Sequence, residues 1–322
     1  MSSRSRDIDD LVVRARQGQA RAVGRLISLI EDGAPELRAL AAALARDTGR
    51  AQVVGITGPP GVGKSTMAGA LVAAFRAAGK RVGVLAVDPS SPFSGGALLG
   101  DRVRMQEHAT DPEVFIRSMA TRGHLGGIAW ATPQALRVLA AAGYTQVLVE
   151  TVGVGQSEVE VMALADTTVV VLAPGMGDGV QAAKAGILEV ADILVVNKAD
   201  REGAEQTVRE LQHMISLGRR EVAGPSWRPP IVCTTAHKTE GIDDLVAAID
   251  EHRAWMLSHG ELDARRQRRA EAEVEAIALA QLHGRLGDVL RGSALPGLAK
   301  RVVAGDLDVY RAADELIAEL TG

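Results

Sequence analysis

Three observations predict an α/β protein with a mostly parallel sheet covered by helices on both faces. From residue 52 onward, short and nearly continuous runs of Val, Ile and Leu alternate with longer amphipathic stretches, the pattern of strands buried on both sides. The first of these runs leads straight into a glycine-rich turn and then an apolar helix, so strand and helix succeed each other as a parallel sheet requires. The chain also holds 35 Gly against 3 Phe, 2 Tyr and 3 Trp, which favours loops lined by backbone over aromatic stacking platforms.

Taken in order, residues 7–47 read as two helices. Ile8, Leu11, Val12 and Ala15, then Val23, Leu26, Ile27 and Ile30, recur at helical spacing before the breaker Gly33-Ala-Pro35. Strands are expected at 53–57, 82–87, 147–150, 168–173, 193–197 and 231–234. Beyond about residue 252 the strands stop, and residues 261–290 carry Val274, Ala278, Leu282, Leu286 and Val289 at steps of three or four, a long amphipathic helix. A last helix places Leu316, Ile317 and Leu320 on one face, with Asp306 or Asp308 as its cap. The expected division is a helical extension at 1–50, a sheet domain at 51–255 and a helical arm at 256–322 that dimerises the chain through its apolar stripe, the alternative being that the arm folds back onto the amino-terminal helices. Arg265, Arg266, Arg268 and Arg269, beside Glu271, Glu273 and Glu275, read as a solvated helix face.

Bulk properties remove several function classes. The 36 basic and 40 acidic residues give a net charge of -4, without the basic footprint of a nucleic-acid binder. The lone Cys233 forms no internal disulfide and supplies no multi-cysteine metal site, which suits a reducing compartment. Residues 1–10 lack an apolar core, and the longest stretch free of Asp, Glu, Lys and Arg is 123–136, short of the roughly 18 residues a membrane span needs. A cytoplasmic protein with no nucleic-acid or membrane partner is expected.

The glycine-rich turn is Gly58-Pro59-Pro60-Gly61-Val62-Gly63-Lys64-Ser65-Thr66. It fits Gly-x4-Gly-Lys-Ser in the strand–loop–helix setting that gives the pattern its meaning: a P-loop whose backbone N–H groups cradle phosphates. Lys64 is the point charge for the β- and γ-phosphates, and Ser65 a hydroxyl ligand for Mg²⁺. Asn197-Lys198-Ala199-Asp200 follows the strand at 193–197. A carboxylate there accepts from N1–H and the 2-amino group of guanine, which adenine does not offer in that arrangement. Asp200 therefore selects GTP, and the backbone of Thr235-Ala236-His237 is placed to reach the base O6.

Glu150-Thr-Val-Gly153 ends the strand at 147–150 where a GTPase carries Asp-x-x-Gly, so Glu150 is expected to face the metal and Gly153 N–H the γ-phosphate. Asp88, in Asp88-Pro-Ser-Ser, and Asp101 add carboxylates. Mg²⁺ keeps several waters, so beside Ser65 the carboxylates Asp88, Asp101 and Glu150 exceed what direct coordination requires, and one or two are expected to act through water. A surface ion pair with Arg104 is the alternative for Asp101. Val154 stands where signalling GTPases orient the attacking water with a glutamine, which implies slow intrinsic hydrolysis aided by Arg102, Arg104, Lys184 or a partner group.

In this combination the sequence resembles the methylmalonyl-CoA mutase-associated GTPases, the MeaB/ArgK type. The resemblance rests on 58–66, Val87-Asp-Pro-Ser-Ser91, Leu99-Gly-Asp-Arg102, Glu150-Thr-Val-Gly-Val-Gly-Gln156 and 197–200, and extends over both helical ends. It implies a homodimeric P-loop GTPase, using Mg²⁺ with GTP and GDP, that gates loading of adenosylcobalamin into the mutase and protects or rescues that enzyme. It also implies a partner-sensing loop at 178–184 in which Gln181 and Lys184 complete the site. Thr235-Ala236 departs from the Ser-Ala of many members.

Three rivals remain. A metal-insertion GTPase of the same fold needs clustered soft or imidazole ligands, whereas the seven histidines at 108, 124, 213, 237, 252, 259 and 283 are scattered. A kinase linked to amino-acid transport needs ATP, against Asp200. A non-catalytic nucleotide sensor is compatible with Val154.

Overall fold

The computed structural model describes residues 3–47, 49–89, 106–108, 110–121, 127–151, 162–175, 190–217, 226–291 and 294–321. Among these, seven strands form one sheet in the order β3-β2-β4-β1-β5-β6-β7. They are β1 (Gln52–Thr57), β2 (Val82–Pro89), β3 (Val114–Thr121), β4 (Gln146–Thr151), β5 (Thr167–Leu172), β6 (Ile193–Asn197) and β7 (Ile231–Thr234). Every pairing is parallel, which confirms the predicted fold class.

The helices are α1 (Ser3–Arg16), α2 (Ala20–Glu31), α3 (Leu37–Leu44), α4 (Lys64–Ala77), α5 (Gly127–Ala141), α6 (Ala204–Leu217), α7 (Ile242–His259), α8 (Glu261–Arg291), α9 (Ala294–Val303) and α10 (Val309–Thr321). Alternation along the strands distributes them over both faces. Val53, Leu85, Val147 and Val149 join a cluster with Val23, Leu26, Ile27 and Ile30 of α2 and Ala135, Val138 and Leu139 of α5. Val54, Ile56, Val84 and Leu148, one step out of phase, join Leu71 and Phe75 of α4 and Leu245 and Ile249 of α7. Val170, Leu172, Leu194 and Val196 meet Leu211 of α6. Each such side chain removed from water contributes roughly 1.5–3 kcal/mol before entropy is counted.

Several expectations change. The amino-terminal segment forms three helices, not two, because Leu40 and Leu44 bury a further turn beyond Pro35. β3 was not expected; it is an edge strand whose Arg117 and Ser118 break the apolar run. Arg117 reaches back to Glu31 and Ser28 of α2. The described contacts divide the chain into Met1–Arg269 and Ala270–Gly322. The first of these units holds the helices at 1–50 together with the sheet.

The arginine cluster is corrected more strongly. Arg265 forms a bidentate pair with Asp192 at 2.8 and 2.8 Å. Arg266 bonds Asp166 Oδ2 at 3.1 Å and the carbonyls of Gly49 and Ala51, and Arg269 bonds Asp166 and the Leu164 carbonyl. Only Arg268, paired with Glu261, keeps a largely exposed side chain, at 61%. The run that reads as solvated holds buried carboxylates, because Asp166 and Asp192 stand just before β5 and β6, at the amino edge of the sheet.

In the second unit, Asp308 Oδ1 accepts from the N–H groups of Tyr310 and Arg311 at 3.0 Å, which makes it the cap of α10, and Arg301 pairs with Glu315. Val274 and Leu282 of the expected stripe are 68% and 58% exposed; the side chains of Leu286 and Val289 lie outside the described residues. Among the described residues no helix is long and apolar enough to cross a membrane.

Candidate functional site

The turn between β1 and α4 is built so that only glycine fits at its ends. Gly58 has φ 139°, and a Cβ there would lie 2.1 Å from the Val171 carbonyl oxygen. Gly63 has φ 98°, and its Cβ would lie 2.5 Å from Asn197 Nδ2. The left-handed backbone lets the turn close directly onto α4, whose first residues Lys64 and Ser65 are both buried. Lys64 Nζ donates to the carbonyls of Gly58 at 2.7 Å and Pro59 at 3.1 Å. The ammonium is thus held over the loop by the backbone it serves, and the amino end of α4 adds its partial positive charge for an anion.

The second loop is stitched to the first. Asn197 Nδ2 donates to the Val62 carbonyl at 2.8 Å, and Lys198 Nζ donates to the Gly61 carbonyl at 2.6 Å. Asn197 Oδ1 accepts from Thr234 Oγ1 and Ala236 N, both at 3.1 Å, which ties in the one-turn 3-10 helix Ala236–Lys238. Lys198 has φ 58°, and this left-handed residue turns the chain so that Asp200 stands near that helix. Lys238 Nζ lies 3.2 Å from Asp200 Oδ2. The Lys238 ammonium beside Asp200 holds its carboxyl below the usual carboxylate range. The structure thus gathers 58–66, 197–200 and 235–237 at the carboxyl edge of the sheet, where open α/β sheets bind ligands.

Of the expected metal ligands, Ser65 and Glu150 meet: Ser65 Oγ donates to Glu150 Oε1 at 2.5 Å, and both side chains are buried. Hydroxyl and carboxylate oxygens are hard donors of the kind Mg²⁺ takes, so the pair fits that ion. Asp88 ends β2 opposite Ala120 of β3, with its side chain outside the described residues. Asp101, Arg102, Arg104, Gly153, Gln181 and Lys184, and with them Val154, also lie outside the described residues. Among the described residues no group of three His, Cys, Asp or Glu side chains is arranged to hold a metal.

Two features carry no sequence motif: the opposite edge of the sheet, and Lys238. Asp166 is 1% exposed, and burial pushes its carboxyl up, yet the bonds and charges of Arg266 and Arg269 outweigh this and leave it below the usual range. His252, 0% exposed, has Nδ1 2.9 Å from Thr167 Oγ1 and Nε2 3.3 Å from Asp192 Oδ1. Burial lowers its pKa, which favours the neutral ring. Trp227 and Trp255 flank that imidazole with ring centroids at 4.9 and 6.3 Å. One faint signal of the amino edge existed: the same Ala-Asp pair precedes β5 and β6.

Comparison with known proteins places the chain in a family. The family model described as methylmalonyl Co-A mutase-associated GTPase MeaB matches residues 23–288. A protein of Pyrococcus abyssi bearing the name GTPase is 47% identical over 315 residues, covering 98% of this chain and 97% of the relative. The mitochondrial methylmalonic aciduria type A homolog of Mus musculus is 35% identical, covering 97% of this chain and 79% of its own. Among solved structures, one described as LAO/AO transport system kinase superposes with a TM-score of 0.68 at 25% identity, covering 100% of this chain and 99% of that one.

Proposed function

The chain belongs to the methylmalonyl-CoA mutase-associated GTPase family, and from that premise we propose that this GTPase is a Mg²⁺-dependent, nucleotide-switched chaperone of an adenosylcobalamin-dependent methylmalonyl-CoA mutase. The observation that supports the nucleotide switch is the joining of three segments at one edge, Lys64 over its own carbonyls, Ser65 on Glu150, and Asn197 on both Val62 and Ala236; the family match supports the mutase as client. A loop that changes shape with its nucleotide and is bonded this way shifts its neighbours with it, which a switch needs.

In the proposed site residues 58–66 hold the phosphates, Lys64 supplies charge to them, and Asp200 with the 235–237 backbone reads guanine. Ser65 and Glu150, with Asp88 or Asp101, hold Mg²⁺, which when bound neutralises charge on the β- and γ-phosphate oxygens. Water forms the new bond to the γ-phosphorus as the bond to the bridging oxygen breaks, releasing GDP and phosphate. Arg102, Arg104, Gln181 and Lys184 are the residues proposed to tune that step, and Gly153 the γ-phosphate donor. The exposed Val274 and Leu282 support a homodimer formed through the 256–322 arm, acting in the cytoplasm.

Two measurements test the reading. GTP turnover is expected to rise when purified mutase is added, and complex formation is expected to differ between GDP and a non-hydrolysable GTP analogue. Identical turnover and identical complex under all conditions would remove the mutase as client. A kinase acting in transport is the second reading, favoured by the likeness to the LAO/AO transport system kinase; ATP competing with GTP at equal concentration would support it.

A further inference from the structure

We infer that Lys238 is a positioning residue for base recognition: from the turn that also presents the Ala236 N–H, it holds the Asp200 carboxylate in the orientation that accepts both N1–H and the 2-amino group of guanine. The inference rests on the proposal that Asp200 reads guanine, and it assigns the strictness of that reading to a side chain outside the Asn-Lys-x-Asp sequence.

The two loops come from neighbouring strands and meet at two points. At the buried end, Asn197 Oδ1 takes the Thr234 hydroxyl and the Ala236 N–H, and the Ala199 N–H reaches the Thr234 carbonyl at 3.0 Å. At the open end, the side chain that bonds Asp200 among the described residues is Lys238, at 3.2 Å, with the carboxylate 32% exposed. An aspartate this open exchanges rotamers freely unless a partner selects one.

Chemistry decides which side of the carboxylate the lysine occupies. An ammonium carries three donors and no acceptor. It therefore cannot bond N1–H or the 2-amino group, which are donors too. A carboxylate has about four lone-pair sites; Lys238 uses one on Oδ2 and the backbone N–H of Asp200 itself bears on the carboxylate, which still leaves two acceptors for a two-pronged contact with the base. Lysine behind and guanine in front is the arrangement in which the ammonium and the base both donate to the carboxylate.

The backbone that carries this half-exposed lysine is fixed by hydrogen bonds. Lys238 N–H donates to the Thr235 carbonyl at 2.8 Å, Thr239 N–H to Ala236 at 3.2 Å, and Thr235 N–H to Glu240 at 3.0 Å. Thr239 takes φ 61° to end the turn, and a Cβ on Gly241 (φ 73°) would lie 2.2 Å from the Cys233 carbonyl oxygen. The Ala236 donor and the Lys238 backbone thus belong to one tightly closed turn.

The test is steady-state hydrolysis of GTP, inosine triphosphate and ATP by the full-length protein and by Lys238→Met, Lys238→Gln and Lys238→Arg. Inosine triphosphate keeps N1–H and lacks the 2-amino group, so it reports on half of the contact. Both neutral variants are expected to raise the KM for GTP about threefold to fivefold, the reach of a partly exposed ion pair, with a smaller rise for inosine triphosphate. The GTP preference then narrows, the change falls on KM rather than kcat, and Lys238→Arg restores it. An equal rise for both nucleotides, or tighter GTP binding on removing the lysine, overturns the inference. Failure of the underlying reading looks different: the unmutated protein would not prefer GTP over ATP or inosine triphosphate.

Discussion

At the amino edge of the sheet, Asp166 and Asp192 are almost inaccessible, and each carboxylate is covered by arginine and by a backbone N–H: Val53 N–H on Asp166 at 3.0 Å and Thr168 N–H on Asp192 at 2.8 Å. At the carboxyl edge, charged groups rest on partners that a ligand can share or replace. Lys64 and Lys198 lie on carbonyl oxygens, and Asp200 lies on one lysine within reach of solvent. Both edges belong to the same strands, so neither composition nor sheet geometry causes the contrast. A charge that serves the fold must be fully compensated once it leaves water, whereas a charge that serves a ligand keeps capacity in reserve.

The sharpest way to break this comparison is to remove a fully compensated charge. Asp166→Ala strips Arg266, Arg269 and the Val53 N–H of a shared acceptor and is expected to lower stability by about 3 kcal/mol, the range for breaking a buried pair. Denaturant unfolding measures the loss. The KM for GTP of the folded protein is expected to hold, and a parallel collapse of nucleotide affinity would show that the two edges are not separable.

The converse change belongs to the other edge. Glu150→Gln keeps the volume beside Ser65 but removes the charge, and is expected to cut GTP turnover about 100-fold while the thermal midpoint moves little. Unchanged hydrolysis at limiting Mg²⁺ would take Glu150 out of the metal site.

The smallest effect is in pH. Burial lowers the pKa of His252, so as pH drops through about 6.5 the unfolded chain takes up a proton more readily than the native ring, and stability falls. Asp166 also has a lowered pKa, but its contribution is lost only below the ordinary carboxylate value near 3.8. Unfolding measured between pH 7.5 and 5.5 is expected to show a loss of stability in the unmutated protein and a smaller one in His252→Phe. Equal slopes would mean that the imidazole is not the proton acceptor.

This contrast also explains what the sequence made legible. A ligand loop announces itself because glycines, a lysine and a hydroxyl must stand at fixed spacing along one segment, so 58–66 and 197–200 are readable before any fold is known. The arginine–carboxylate pairs of the amino edge join residues 73 to 103 positions apart, such as Arg265 with Asp192 and Arg269 with Asp166. No local spacing records a contact of that kind, and arginines beside glutamates on a helix look the same whether they face water or a buried carboxylate. β3 escaped for a related reason: its Arg117 serves α2 across 86 residues and spoils the apolar run that marks a strand. Lys238 escaped because its role depends on Thr239 turning left-handed, which no motif demands.

The two carboxylates at the amino edge have one more effect. Asp166 N–H donates to the Val53 carbonyl at 2.8 Å while its side chain accepts the Val53 N–H. Asp192 repeats this on Thr168, giving 3.0 Å to its carbonyl. In a sheet buried on both faces the strands are apolar throughout, so an alternating pattern does little to choose which residue of one strand aligns with which of the next. Sliding β5 along β1, or β6 along β5, by one position would tear a carboxylate from its backbone donor and from its arginines at once. The paired clips therefore index the strands like teeth on a rack, and the loops that carry 58–66 and 197–200 leave the far ends of β1 and β6 at matching heights.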